Sequence, residues 1–303
     1  MNQQEFDCRF ENLDESVVNA LKLFQEQGLP ILDLGNYKRP LVVGSGNAVV
    51  TGRILYEDFD AVFADESTYL RKLENISGID GVVLISASGG KHAPQIAKTL
   101  KQRGLEVRLL TCNPNAHARE HIDSGNVFVF PKRAEPYTYN TSTYLGMILG
   151  KTRENPQNIL DFIHGEINPN IPPDISRFDS FYFIVPERFD TAREMLLTKF
   201  DELFGPILVG RAFTLDQTRH AKTVVTNDKE LFVSFGEPNT RFGERRVNLN
   251  LPEKSDYGTL IAGAYYFIGK IQQANPPYFK NSILEYCEKA SRDFNQRIEP
   301  IVE

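Results

Sequence analysis

Residues 84–111 read LISASGGKHAPQIAKTLKQRGLEVRLLT. The opening Leu84-Ile85 closes an apolar run, GVVLI, that is continuous rather than alternating, as in a strand covered on both faces. From Ala93 onward Ile96, Ala97 and Leu100 recur at helical spacing and Gly104 supplies a stop, so a helix is expected there. EVRLLT is the next apolar strand, and strand, helix and strand in that order point to a parallel α/β sheet. The turn between strand and helix holds more than a turn needs. One glycine or one capping residue suffices, whereas Ser86-Ala87-Ser88-Gly89-Gly90-Lys91-His92 gathers two hydroxyls, two glycines, a cation and an imidazole. Hydroxyls, the N–H groups of Gly89 and Gly90 and a helix start can all be aimed at one anion, with Lys91 adding a point charge.

The same alternation extends in both directions. NLDESVVNALKLFQEQG is expected as an amphipathic helix through Val17, Ala20, Leu21 and Phe24. Leu41 to Val43 form a short buried strand, Gly44-Ser45-Gly46 a tight turn, and Ala48 to Asp58 a helix. AVFADES is a second strand, GVVLISAS a third, EVRLLTCN a fourth and NVFVFP a fifth, with AHAREHID a short helix and YNTSTYLGMILGKT a longer one. GEINPNIPPDISRF, rich in Pro, Asn and charge, is the linker candidate, giving domains at 1–165 and 166–303. Beyond it come a strand (FYFIVP), a helix (DTAREMLLTKFDELFG), a mixed helical region (ILVGRAFTLDQTRHAKTVV) and two strands (ELFVSFG, RRVNLNLP). YGTLIAGAYYFIGKIQ and NSILEYCEKASRDFNQRI are closing helices. The halves repeat one architecture without a residue-level repeat.

The chain has 303 residues, enough for two domains, with 41% hydrophobic and 11% aromatic residues to build cores. A net charge of −6 with no basic stripe argues against nucleic acid as a partner. Cys8, Cys112 and Cys287 lack metal-ligand spacing and are odd in number, which fits a reducing, cytoplasmic compartment. MNQQEFDCRF is polar rather than a signal sequence. The longest apolar stretches run to about ten residues, short of the ~20 that span a bilayer, so no membrane association is expected. No cofactor or metal is expected either.

In a parallel α/β sheet ligands gather beyond the carboxyl ends of the strands. Both the 86–91 loop and Gly44-Ser45-Gly46 lie there, although the latter alone is equally an ordinary turn. With these residues in place, LISASGGKHAPQIAKTLKQRGLEVRLLTCNPNAHARE resembles the sugar isomerase (SIS) domain, whose hallmark is Ser-x-Ser-Gly-x-Thr after a strand. Ser86, Ser88 and Gly89 match, Gly44-Ser45-Gly46 matches the first turn of that family, and Leu110-Thr111-Cys112-Asn113 resembles its next strand end. Lys91 stands where the family usually has Thr. AEPYTYNTSTYLGMIL resembles the segment entering the last helix of the first SIS domain, which makes Glu135 a substrate-side group; Asn140, Thr141 and Ser142 are explained equally by a capped helix.

LLTKFDELFGPILVGRAFTLDQTRHAKTVV resembles the pattern of double-SIS isomerases, a Leu-Lys-x-x-Glu-like helix followed by a Glu-x-x-His-Gly-Pro-like segment. That places Glu202 as base and His220 as ring opener, with Asp201 competing for the register and Ala221 replacing a glycine. The resemblance implies two SIS-type three-layer, flavodoxin-like subdomains acting as a homodimeric aldose–ketose isomerase on a sugar phosphate of the hexose 6-phosphate class. Phosphate would lie on Ser45, Ser86, Ser88 and Gly89, with Lys91 assisting, and Gly44, Gly46, Gly90 and Thr111 complete the substrate-binding set. Such an isomerisation moves a proton between adjacent carbons, for which a carboxylate and a histidine are suited. Glu202 is equally a surface carboxylate of a charged helix. His92, His117 and His121 are expected as helix-surface residues, with His92 placed to touch the ligand; His164 has no assigned role, and Lys280 and Lys289 are further candidates in the C-terminal region. Two alternatives remain open, an amino-sugar phosphate deaminase or deglycase and a non-catalytic sugar-phosphate-binding regulator.

Overall fold

The computed structural model describes residues 10–302; Cys8 and the rest of MNQQEFDCR lie outside the described residues. Two compact units form, interleaved along the chain rather than meeting at 165/166. One comprises 26–132 and 143–153; the other comprises the chain up to Gln25, Arg133–Ser142 and everything from Glu154 onward. The Pro/Asn-rich GEINPNIPPDISRF lies wholly within the second unit, in a π turn (Ile163–Ile167) and two 3-10 turns (Asn168–Asn170, Ile175–Arg177).

The first unit is built on strands β1 (Pro40–Val43), β2 (Val62–Ala64), β3 (Gly81–Ile85), β4 (Val107–Thr111) and β5 (Val127–Val129). They lie in the order β2-β1-β3-β4-β5, all parallel, which is the flavodoxin-like doubly wound order. β1 and β3 are buried along their whole length. Because successive strand side chains point to opposite faces, Leu41, Val43, Val82 and Leu84 meet α3 (Tyr69–Asn75) and α4 (Ala93–Gln102) through Tyr69, Ala93, Ile96, Ala97 and Leu100. Val42, Val83 and Ile85 face the other way, toward Ala48 and Leu55 of α2 (Asn47–Leu55) and Met147 of α5 (Gly146–Thr152). Helices therefore cover both faces, and each fully buried aliphatic side chain contributes roughly 1.5–3 kcal/mol. The AHAREHID segment forms a 3-10 turn, His117–His121, rather than an α-helix.

The second unit carries β7 (Ser180–Val185), β8 (Val209–Thr214), β9 (Glu230–Phe235) and β10 (Arg245–Leu249) in the order β10-β9-β7-β8, again all parallel. Counted from its own first strand, that order is 2-1-3-4, the first four positions of the other sheet. The repeat expected from the sequence is thus one of topology. One face is packed by aromatic side chains of α7 (Arg193–Phe204) and α9 (Tyr257–Ala274): Phe200 stacks on Phe181 at 5.9 Å, and Phe267 meets Phe183 edge-on at 5.9 Å. α6 (Pro156–Phe162), α10 (Tyr278–Asp293) and α1 (Leu13–Gln27) belong to the same unit up to Gln25, and β6 (Glu135–Pro136) pairs antiparallel with β11 (Ile301–Val302).

A further expectation is corrected. VGRAFT, placed in a mixed helical region, is the strand β8, followed by the short α8 (Leu215–Arg219), whose start is held by a reciprocal Thr214–Gln217 capping box. β8 is an edge strand, so its burial is uneven and its sequence lacks a continuous apolar run. Arg211 is tolerated within it because the guanidinium lies over the Tyr182 ring, 4.4 Å from its centre, and pairs with Glu230 at 3.2 Å.

Candidate functional site

In the five-stranded unit the neighbouring strands β1 and β3 lead into α2 on one face and α4 on the other. That divergence is the topological switch point, where open α/β sheets hold ligands. The two turns singled out in the sequence, 44–46 and 86–91, are the turns that leave these two strands. Register pairs Val43 with Leu84, so both turns emerge at one edge of the sheet.

Loop 86–91 is braced by hydrogen bonds to the end of β4, and Ser88 and Lys91 are exposed. Ser86 N–H donates to Leu110 O at 3.0 Å, Cys112 N–H and Thr111 Oγ1 both donate to Ala87 O, and Asn113 Nδ2 donates to Ser88 O at 2.9 Å. Gly89 adopts φ +57, and a Cβ there would lie 2.3 Å from Ala116 Cβ, so neither the backbone conformation nor the space admits a side chain. Around this frame Ser86 Oγ accepts from Gly89 N–H at 3.2 Å, and Ser88 Oγ accepts from Gly90 N–H at 3.3 Å. With those amides spent on the serine oxygens, the two serine side chains keep their hydroxyl protons to offer a ligand, and these are donors. Lys91, exposed and at φ +48, stands just before α4, which starts without a side-chain cap. Thr111 is fully buried; its hydroxyl staples the loop and accepts from Asn113 N–H at 3.2 Å, so it braces the site from beneath.

The turn 44–46 differs. Gly44 has no room for a side chain, since a Cβ would meet Ala48 at 2.9 Å, and Gly46 has φ +55. Gly44 N–H is tied to Ala64 O at 3.0 Å. The exposed Ser45 hydroxyl donates to the carboxylate of Glu66, a residue the sequence had not brought forward. Glu66 lies in the turn after β2, where Asp65 accepts from the backbone and hydroxyls of Ser67 and Thr68, which holds its carboxyl down at about 2.

The four-stranded unit holds the other proposed groups. Glu202, near the end of α7, is 21% exposed, and its carboxylate pairs at 2.5 Å with Lys199, which is wholly buried. The Lys199 ammonium also donates to Thr138 O at 2.6 Å and lies 5.5 Å from the Tyr265 ring centre. Burial raises the Glu202 carboxyl above the ordinary glutamate range, opposed by the Lys199 charge. Glu202 lines a cavity of about 470 Å³ together with Asp201, Thr138, Phe279, Ser282 and Tyr286. A half-buried carboxylate of raised proton affinity facing a cavity has the properties of a general base. Lys199 sits three residues before it on one helix face, a spacing visible in the sequence.

His220 follows α8, exposed, and is not among the residues lining the Glu202 cavity. The next residue, Ala221, sits at φ +58, the conformation for which glycine would be preferred. Glu135 is buried: its carboxylate accepts from the N–H groups of Thr141 and Ser142 and from the hydroxyls of Ser142, Thr141 and Ser16, and so caps the turn at 141–145. His117 pairs with Glu120 at 3.5 Å. Lys280 and Lys289 lie on α10 and do not line the cavity. No helix among the described residues is long and apolar enough to cross a membrane.

No family model matches the chain, and no curated protein does. Solved structures do. Glucosamine-6-phosphate deaminase from Thermotoga maritima superposes with a TM-score of 0.62 at 16% identity, covering 88% of this chain and 95% of that one. Tagatose-6-phosphate ketose/aldose isomerase from Escherichia coli gives 0.57 at 14% identity, covering 88% and 89%. The C-terminal domain of glucosamine-fructose-6-phosphate aminotransferase from Francisella tularensis gives 0.57 at 14%, covering 86% and 93%. At these identities the likeness is one of fold: the chain has a sugar-phosphate isomerase-like fold.

Proposed function

We propose that the chain binds a sugar phosphate at the switch point of its five-stranded sheet and interconverts its aldose and ketose forms. The observation that supports this reading best is the pair of unspent hydroxyl protons on Ser86 and Ser88, in a hydrogen-bonded loop at the strand-to-helix edge. Those donors, the start of α4 and Lys91 suit a phosphate. A bound phosphate supplies binding energy remote from the reacting carbons. Glu202 is the proton carrier in this reading and His220 the ring opener; the raised proton affinity of Glu202 supports the first role. A homodimer in a reducing compartment completes it.

Thermal-shift screening with glucose, mannose and glucosamine 6-phosphates, followed by coupled turnover assays, tests it. Stabilisation that is lost in Ser86→Ala/Ser88→Ala, with turnover falling about a hundredfold or more in Glu202→Gln, is the expected result. Unchanged turnover in Glu202→Gln would reject that residue as base, and ammonia release would reassign the reaction as deamination. A second reading, a sugar-phosphate sensor without turnover, is favoured by the ion pair that engages Glu202 and by the position of His220 outside the Glu202 cavity. Stabilisation without product selects it.

A further inference from the structure

The three hydroxyls at the switch point are not equivalent. Ser86 and Ser88 accept from loop amides and keep their protons for a ligand. Ser45 has given its proton to Glu66, so it presents only lone pairs, beside a carboxylate. Glu66 is held for this contact. Its neighbour Asp65 accepts four hydrogen bonds from Ser67 and Thr68 on Oδ1, and Asp65 N–H is itself held by Thr68 Oγ1 at 3.1 Å. The turn 44–46 is in turn anchored to the end of β2 through Gly44 N–H and Ala64 O. The two turns are therefore polarised, with hydroxyl donors at the β3 turn and acceptors at the β1 turn.

We infer that Glu66, through Ser45, determines specificity at the switch point: it accepts a hydrogen-bond donor of the ligand, a hydroxyl or an ammonium, while the phosphate lies on 86–91. The inference rests on the sugar-phosphate reading and deepens it. A carboxylate on the Ser45 side repels a phosphate placed there and accepts strongly from the donor-bearing end of a sugar. The same polarity discriminates against a bare anion. Inorganic phosphate gains the donors of 86–91 but meets the charge of Glu66, whereas a hydroxylated or aminated phosphate ester satisfies both ends. Ser45 then acts as a positioning residue that orients the carboxylate.

The test is calorimetric titration of the wild-type chain and of Glu66→Gln, with inorganic phosphate, glucose 6-phosphate and glucosamine 6-phosphate as probes. Glu66 is exposed, so the substitution leaves the fold intact. The expected result is that Glu66→Gln weakens both sugar phosphates about tenfold, the difference between a charged and a neutral acceptor, and leaves inorganic phosphate unchanged or tighter. An additional loss confined to glucosamine 6-phosphate identifies the donor as ammonium; equal losses identify a hydroxyl. Ser45→Ala should move the sugar phosphates in the same direction and by less. If Glu66→Gln weakens all three probes in proportion, or none, the inference is overturned while the phosphate site stands. If the wild-type chain binds none of the probes, the sugar-phosphate reading falls and the inference with it.

Discussion

The two sheets share the strand order 2-1-3-4, yet their carboxyl edges are chemically opposite. Behind β1 and β3 stand Gly44-Ser45-Gly46 and Ser86-Ala87-Ser88-Gly89-Gly90-Lys91, the second leading directly into α4. Behind the equivalent β7 and β9 stand Pro186-Glu187-Arg188 and Gly236-Glu237-Pro238-Asn239. β9 runs on to β10 through a loop held by the Asn239 side chain, which accepts from Arg241 and Phe242 N–H and donates to Phe242 O. Glu187, Pro186 and Pro238 stand there in place of the serine hydroxyls, and the Arg188 guanidinium is engaged with Ser255 O at 2.9 Å and lies over the Phe189 ring, 4.3 Å from its centre. What the second unit offers instead is one half-buried carboxylate over a cavity. A repeated topology supplies two platforms whose loops differ in composition; in the proposed reading the first receives the phosphate and Glu202 of the second unit carries the proton.

The largest expected effect tests the second platform. Lys199→Met leaves Glu202 without its counter-charge, and breaking such a pair costs about 3 kcal/mol. Urea denaturation should register that loss, and the double variant Lys199→Met/Glu202→Gln should recover part of it. Full stability in Lys199→Met would mean the pair contributes nothing to the fold.

Next come two glycines in the turns that follow equivalent strands, Gly89 after β3 and Gly236 after β9, both with positive φ. A left-handed backbone costs a side chain about 1–2 kcal/mol. Gly89→Ala adds the 2.3 Å approach to Ala116, whereas a Cβ at Gly236 finds its nearest atoms, in Leu251 and Pro186, at 3.2 Å. Melting should show both variants destabilised, Gly89→Ala more, and only Gly89→Ala should lose stabilisation by hexose 6-phosphate. Equal loss of ligand response in Gly236→Ala would erase the contrast between the edges.

A smaller effect concerns the acid end of the pH range. The Asp65 carboxyl is held down at about 2 by Thr68 and Ser67, so its contribution is present above the unfolded value of about 3.9 and is lost as pH falls toward 2. Asp65→Ala should cost about 1 kcal/mol at neutral pH, as loss of a capping side chain does, and the deficit should shrink in acid. Glu202 titrates in the opposite sense. Its raised carboxyl binds a proton more tightly in the folded state, so stability declines as pH rises from the unfolded value of about 4.3 through the folded one. The melting temperature of Glu202→Gln relative to wild type should therefore climb over that interval; a flat difference would remove burial as the dominant influence on Glu202.

Much of the five-stranded unit was legible in the sequence because its strands are continuous apolar runs ending in glycine-rich turns, and 84–111 contains a whole strand, loop and helix. β8 was not legible: an edge strand with Arg211 lying across Tyr182 lacks the apolar run that identifies a buried strand. The interleaving of the units also escaped, since the proline-rich stretch after His164 resembles a linker in composition while lying inside one unit. Among site residues, Gly44, Gly46 and Gly89 announced themselves through composition and occupy positions that require glycine or leave no room for a Cβ. Lys199 could have been found from its helical spacing to Glu202. Glu66 could not, because Asp65-Glu66-Ser67-Thr68 reads as a capping turn and its partner Ser45 lies across the sheet edge on another strand's turn. The Glu135 assignment rested on resemblance, and the five donors around its carboxylate give it a capping role here.

An amide NMR titration with a hexose 6-phosphate examines the phosphate cradle directly. The account predicts that the largest shifts fall on the amides of residues 86–92 and disappear in Ser86→Ala/Ser88→Ala. Saturable shifts that leave 86–92 untouched and gather on the loops after β7 and β9 would contradict it.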